Sequence, residues 1–178
     1  MSDFVPIRGL HHFAYRCRDA EETRRFYEDL LGLPLVHIVR AEHVPSTGEY
    51  CPYVHLFFEM SDGSCVAFFD LGDDTASLPS PNTPLWVNHL ALRVDSADAV
   101  RDAKRRLEAA GVEVLGPVDH DGFVLSIYFF DPNGVRLELT ATTCDAAQLA
   151  AYRAKARAAC DAWTREKAQR AAAPVATA

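Results

Sequence analysis

Three side chains in this sequence have the chemistry of a metal site and the placement to share one: His12, His89 and Glu138. His12 lies in L-H-H-F-A-Y-R-C and His89 in N-H-L-A-L-R-V-D, stretches that match each other at an offset of 77 residues. Read as strands, they put His, Ala and Arg on one face (His12, Ala14, Arg16 and His89, Ala91, Arg93) and the apolar residues on the other. Glu138 lies in V-R-L-E-L-T, where Val135, Leu137 and Leu139 share one face and Arg136, Glu138 and Thr140 the opposite one. The apolar sets must pack inward, so all three polar side chains point away from the apolar layer. Two neutral imidazoles and one carboxylate with open positions are the donor set of non-haem Fe(II), and Mn, Zn, Co or Ni can use the same ligands. A lone histidine is more often bonded within its sheet, and a lone glutamate more often solvated at a strand edge. Two histidines at repeat-related positions plus a glutamate on the same expected face form a more specific signal.

The elements that must position these residues come as two copies. In the first, strand Leu10–Cys17 leads into a helix opened by Asp19 and closed by Gly32; strand Leu33–Arg40, a loop 41–51 and the hairpin strands Tyr53–Met60 and Cys65–Leu71 follow. Residues 72–84 are rich in Pro, Ser and Asp and read as a linker, after which the pattern restarts. Ser96 opens the second helix, with Val100, Ala103 and Leu107 as its apolar positions, and Gly111 ends it; strand 112–115 and a hairpin with Asp131-Pro132-Asn133-Gly134 at its turn complete the copy. Matching glycines lie 79 residues apart at the helix stops and 71 apart at the hairpin turns. An internal repeat outranks local signals when architecture is assigned. The expected fold is α+β: tandem βαβββ modules over 7–71 and 86–143, joined by a linker 72–85, curving into a cup-shaped mixed sheet. A C-terminal amphipathic helix over 145–170 follows, with Leu149, Tyr152, Ala156, Ala159 and Trp163 as its stripe, packed on its own domain. Residues 171–178 are expected to be a disordered tail.

Composition narrows the function. At 178 residues the chain can bury roughly 70% of its unfolded surface as one compact unit. A net charge of −7 and pI near 5.4 offer no source of phosphate neutralisation, so nucleic acid is not an expected partner. Five cysteines, odd in number and without a Cys-x-x-Cys pair, read as reduced thiols rather than a disulfide framework or a thiolate zinc site. The N-terminus lacks the features of a secretory signal and no run of 18 apolar residues occurs, so a cytoplasmic protein without membrane partners is expected.

The doubled βαβββ pattern, H-x-x-x-R near each module start and D-P-N-G-V-R-L-E-L near the end together resemble the vicinal oxygen chelate superfamily of glyoxalases, epimerases, fosfomycin-resistance transferases, bleomycin-binding proteins and extradiol dioxygenases, over about residues 7–142. The resemblance implies metal ligands from the first and last strands of the modules, here His12, His89 and Glu138. The position of the first module equivalent to Glu138 is Ala67, which argues against the four-ligand site of a glyoxalase I. The stretch V-D-H-D-G-F-V-L-S-I-Y-F-F-D-P-N-G-V-R-L-E is similar to the extradiol ring-cleavage signature, which assigns catalytic positions to His120 and Tyr128 beside Glu138. Extradiol enzymes carry a further active-site histidine near the end of the first module; here that region reads D-G-S-C-V-A-F, and His55 is the candidate substitute. The implied function is a metal-dependent dioxygenase of the extradiol type, with one divalent metal, Fe(II) first, acting with O2 on a small catechol-like or hydroquinone-like aromatic. Phe57, Phe69 and Phe130 are candidate walls for that ring. The alternatives are a redox-inert lyase, isomerase or transferase of the glyoxalase or fosfomycin-resistance type, and a bleomycin-type binding protein. A homodimer is expected, and the sequence leaves open whether the cup closes within one chain or across a swapped dimer.

Overall fold

The computed structural model describes residues 8–78 and 80–172. Strand β1 (His12–Cys17) leads into helix α1 (Ala20–Arg24), which Asp19 caps by accepting a hydrogen bond from the Glu22 amide at 2.6 Å. The helix then widens into a π-helical stretch, Arg25–Leu30. Arg24 braces that change of pitch from outside by bonding Glu21, Glu28 and Asp29 together. Gly32 ends the segment with φ of 74°, a conformation without a Cβ penalty only for glycine. Strands β2 (Leu35–His43), β3 (Tyr50–Glu59) and β4 (Cys65–Asp70) complete the first module. The second repeats it as β5 (Leu90–Arg93), α2 (Ala97–Ala109), β6 (Leu115–Asp119), β7 (Val124–Phe130) and β8 (Arg136–Thr142), with Ser96 capping α2 and Gly111 at φ of 82° behind it.

Each module is a four-stranded mixed sheet, in the orders β1-β4-β3-β2 and β5-β8-β7-β6. The first strand of each pairs parallel to the last, and the remaining pairs are antiparallel. The registers superimpose the copies: Ala14 lies opposite Ala67 in one sheet, and Ala91 opposite Glu138 in the other. The fold is thus the expected α+β pair of βαβββ modules followed by a helix.

Three boundaries differ from the sequence reading. The expected loop 41–51 is shorter, because β2 and β3 run on until His43 pairs with Tyr50 and only 44–49 lie outside the strands. The strand expected at 112–115 starts at Leu115 instead; Val112 bonds back to the Leu107 carbonyl as part of the helix stop. The C-terminal helix α3 is Ala146–Ala172, taking in the first residues of the expected tail; 173–178 lie outside the described residues. Leu149 is half-buried and Tyr152 meets Phe123 edge-on at 5.7 Å, but residues 150–160 are all exposed, so α3 touches its domain near its start and carries no buried stripe over 150–160. Alanines on every side of the helix blur the apolar face that the spacing of Leu149, Tyr152 and Trp163 suggests.

The modules meet through their helix-side faces. One apolar core unites Tyr27, Phe58 and Phe68 of the first module with Val100, Ile127, Phe129 and Leu137 of the second. The D-P-N-G turn is part of this seam rather than a solvent turn. Asp131 and Asn133 are both buried; Tyr27 Oη donates to Asp131 at 3.0 Å, Asn133 Nδ2 donates to Thr23 Oγ1 at 3.1 Å, and the Arg18 amide donates to Asn133 Oδ1 at 2.9 Å. With the helix sides locked together, the opposite face of each sheet, the one bearing the histidines, turns outward. No described helix is long and apolar enough to cross a membrane.

Candidate functional site

The second module's outer face brings sequence-derived and neighbouring polar residues together. Glu138, 6% exposed, lies with its Oε2 2.9 Å from His89 Nε2. Its other oxygen accepts from Ser126 Oγ at 2.5 Å, and Ser126 is also 2.8 Å from Thr140 Oγ1. His89 sits just ahead of β5, with Nδ1 3.0 Å from the Val87 carbonyl, which can only accept. Nδ1 therefore carries a proton, and in a neutral ring Nε2 is then a lone pair aimed at a carboxylate oxygen. Two acceptors at that separation need a cation between or upon them, either a proton or a metal. A histidine whose far nitrogen donates to a backbone carbonyl, beside a carboxylate steadied by a hydroxyl, is how metal-binding ligands are held. The residues present thus fit a divalent cation on two of its three expected ligands.

Tyr128 lies directly across from Glu138 in the β7–β8 register, and its hydroxyl is 2.8 Å from His120 Nε2. Desolvation, then the nearby Glu138 charge, raises the Tyr128 pKa, so the phenol keeps its proton as a donor. The guanidinium of Arg136 lies 4.3 Å above the Tyr128 ring.

The first module's outer face holds the other sequence candidates. His12 and His11 share a 2.7 Å contact between their Nδ1 atoms. His55 is 5.8 Å from His12 between ring centroids, stacks on Phe69 at 3.7 Å and touches Phe57 at 4.2 Å. Its Nε2 is buried with no hydrogen-bond partner, and desolvation, followed by His12 and His37, pulls its pKa down. Phe57 and Phe69 do wall this face, as their alternation implies. Arg16 pairs with Asp73.

Within one chain, then, His89, Glu138, His120 and Tyr128 share one sheet, whereas His12 and His55 share the other. Among the described residues no group of three His, Cys, Asp or Glu side chains comes together as a metal-binding set. Sequence reasoning missed Ser126 and Thr140 as the groups that hold Glu138; both were legible as the small polar residues on its face. It also missed Arg136 and Trp86, whose carbonyl accepts a hydrogen bond from Arg136. Arg136 shares the face of Glu138 two residues away, but Trp86, the first residue of the expected second module, carried no signal.

A family model, the Glyoxalase/Bleomycin resistance protein/Dioxygenase superfamily, matches residues 9–139, and the chain belongs to that superfamily. Among curated relatives, the chain is 29% identical over 133 residues to biphenyl-2,3-diol 1,2-dioxygenase of Paraburkholderia xenovorans, a match covering 74% of this chain but 40% of that enzyme. It is 30% identical over 150 residues to the glutathione transferase FosA of Serratia marcescens, covering 84% of this chain and 91% of that protein. Among solved structures, a variant of the Listeria monocytogenes fosfomycin resistance protein FosX, crystallised with Mn(II) and a dihydroxypropylphosphonic acid, shares the fold at a TM-score of 0.56, with 21% identity over 80% of this chain and 98% of that one. The chain therefore spans less than half of the dioxygenase it matches and nearly all of the transferase.

Proposed function

We propose that this protein is a metal-dependent dioxygenase that cleaves a small catechol-like or hydroquinone-like aromatic ring with O2, through one divalent metal, Fe(II) first, held by His12, His89 and Glu138. The observation that carries the reading is the pairing of His120 with Tyr128 at 2.8 Å beside Glu138: a proton-carrying pair set against the buried carboxylate. The bound metal would supply the template and Lewis acid for the substrate oxygens and O2. Tyr128 donates to a substrate oxygen, His120 takes up or returns the substrate's hydroxyl proton, and Phe57, Phe69 and His55 exclude water from the first module's side. Because the His12 face and the His89–Glu138 face lie on different sheets turned outward, the triad closes between two copies, each site taking His12 from one and the other two ligands from its partner. A homodimer then holds two sites. Five free thiols support a reducing compartment, the cytoplasm.

Mixing tests this arrangement directly. Neither a His12→Ala chain nor a Glu138→Ala chain should retain metal alone. After unfolding and refolding together, each heterodimer should regain one intact site, returning about a quarter of the wild-type metal for random pairing of two chains. No regain, with full metal in the wild type, would place all ligands within one chain. For the chemistry, anaerobically Fe(II)-loaded protein should consume O2 with a member of a catechol and hydroquinone panel. The near-complete overlap with the FosA transferase favours a second reading, a redox-inert transferase or isomerase loaded with Mn or Zn; absence of O2 uptake together with turnover of an epoxide or thiol-adduct substrate would select it.

A further inference from the structure

Arg136 differs from the arginines of this acidic chain that form ion pairs. Arg16, Arg18, Arg24, Arg25, Arg101, Arg105 and Arg157 are each paired with a carboxylate. Arg136 is not: one of its five N–H donors goes to the Trp86 carbonyl, its plane lies on the Tyr128 ring, and its other donors have no partner among the described residues. It is half-buried at the wall of a 670 Å³ cavity whose other walls are Trp86, Leu115, Phe129 and Phe130. That volume lies in the range of small-molecule sites, and apolar walls with one convergent charged group are their usual composition. Two carboxylates also border the cavity, and neither neutralises the guanidinium: Asp131 spends its oxygens on Tyr27, Asn133 and Val135, and Glu113 is exposed without an ion pair to Arg136. Arg136 and Glu138 point from the same face of β8 two residues apart, about 6.6 Å along a strand. Glu138 itself lies outside the cavity's lining, and Tyr128, which lies across from it in the register, is the lining residue that borders it.

We infer that the substrate carries a carboxylate on its ring, and that Arg136 reads it in this cavity while the ring's oxygens reach toward Glu138. The inference deepens the proposed function by naming an aromatic acid as the substrate class, and it makes Arg136 a specificity-determining residue. The planar fork of a guanidinium matches a carboxylate through two parallel bonds, and its seat on Tyr128 and the Trp86 carbonyl fixes the direction of that fork.

The experiment separates this claim from the metal chemistry. Chelator-treated full-length protein carrying Trp163→Phe, so that Trp86 is the only indole, is titrated with benzoate, benzamide and phenylphosphonate by calorimetry, with Trp86 emission locating the event. Benzoate should bind and change the emission, and benzamide, its uncharged isostere, should bind roughly 10- to 100-fold more weakly, the factor expected for loss of a charge-assisted pair. Arg136→Met should abolish the distinction, and Arg136→Lys should restore part of it, because the charge returns without the fork. Equal binding of benzoate and benzamide to the wild type overturns the inference even if Arg136→Met fails to fold. Tighter binding of phenylphosphonate than of benzoate also overturns it, in favour of a tetrahedral oxyanion. Since neither metal nor O2 is present, a failed titration and a failed oxygen assay are read independently.

Discussion

The two sheets are copies of one design that have parted at the centre of their outer faces. In the second module the column across the sheet reads Glu138 opposite Tyr128, with Ser126 and Thr140 beside them, and every polar group has a partner. In the first module the same positions are Ala67 opposite Phe57, with His55 and Phe69 beside them. There the carboxylate is gone, aromatic rings fill its space, and buried His55 Nε2 has no hydrogen-bond partner among the described residues. A carboxylate can be buried only where hydroxyls and a cation meet it, so the exchange of Glu for Ala drags its neighbours from Ser, Tyr and Thr to His, Phe and Phe. One sheet has become the half that buries a charge, and the other the half that carries an apolar wall beside the proposed ligand His12. Both halves keep a histidine at the head of the first strand, the Ala and Arg that follow it on the same face, and a helix stop at Gly32 and Gly111.

Exchanging the two central residues should produce the largest effects. Glu138→Ala removes a proposed ligand, and metal affinity is expected to fall by more than about 100-fold, beyond the range for loss of a residue that merely supports a ligand. Ala67→Glu makes the opposite error. Ala67 is fully buried, so the new carboxylate enters an apolar wall with no hydroxyl to meet it, and metal-free stability should drop by about 3 kcal/mol or more. Chemical denaturation with and without metal checks both. An Ala67→Glu protein as stable as the wild type would show that the faces differ less than their side chains imply.

That contrast was readable in advance only in part. The repeat, the helix stops, the facing of His12, His89 and Glu138 and the equivalence of Ala67 with Glu138 all follow from strand and helix periods, which are properties of a few adjacent residues. How the two modules pack is not a local property. Nothing in N-H-L-A-L-R or H-H-F-A-Y-R says whether their histidine faces converge or diverge, and the residues that decide it, Asp131 and Asn133, carry the strongest turn signal in the chain. The turn signal was correct and hid a second role, because the side chains of a turn are free to be spent elsewhere. The π-helical stretch left no mark either: R-F-Y-E-D-L has an ordinary helical apolar spacing, and the wider pitch shows only in the clamp that Arg24 forms.

The seam between the halves gives the next effect in size. Tyr27 is completely buried, and its hydroxyl spans the modules to Asp131. Tyr27→Phe keeps the ring stacked on Phe58 at 5.3 Å and deletes only that bond, so thermal or urea unfolding should report a loss of about 1–3 kcal/mol. The loss should come with one cooperative transition for both modules. Two separated transitions would mean that the core they share is weaker than this bond.

The smallest effect is a pH dependence held in the same seam. Burial raises the Asp131 pKa above its ordinary 3.8, although the amides of Val135 and Asn133 and the Tyr27 hydroxyl all pull it back. In the window between 3.8 and the raised value the folded protein therefore holds more protons at this site than the unfolded chain does. Stability contributed by Asp131 should be greatest below that window, decline as pH rises through it and level off above. Glu21, Glu28, Asp29 and Asp73 act in the reverse sense: arginine hydrogen bonds lower their pKa values, so what they contribute is lost as pH falls. The Asp131 component is isolated by difference, comparing unfolding of wild type and Asp131→Asn across the acid range, and the wild type alone should carry the falling limb. Tyr27→Phe removes one of the bonds that favour the ionised form, so in that protein the limb should extend to higher pH. An unmoved limb would mean that the Tyr27 bond does not distinguish the two protonation states, and that the modules are joined there by packing alone.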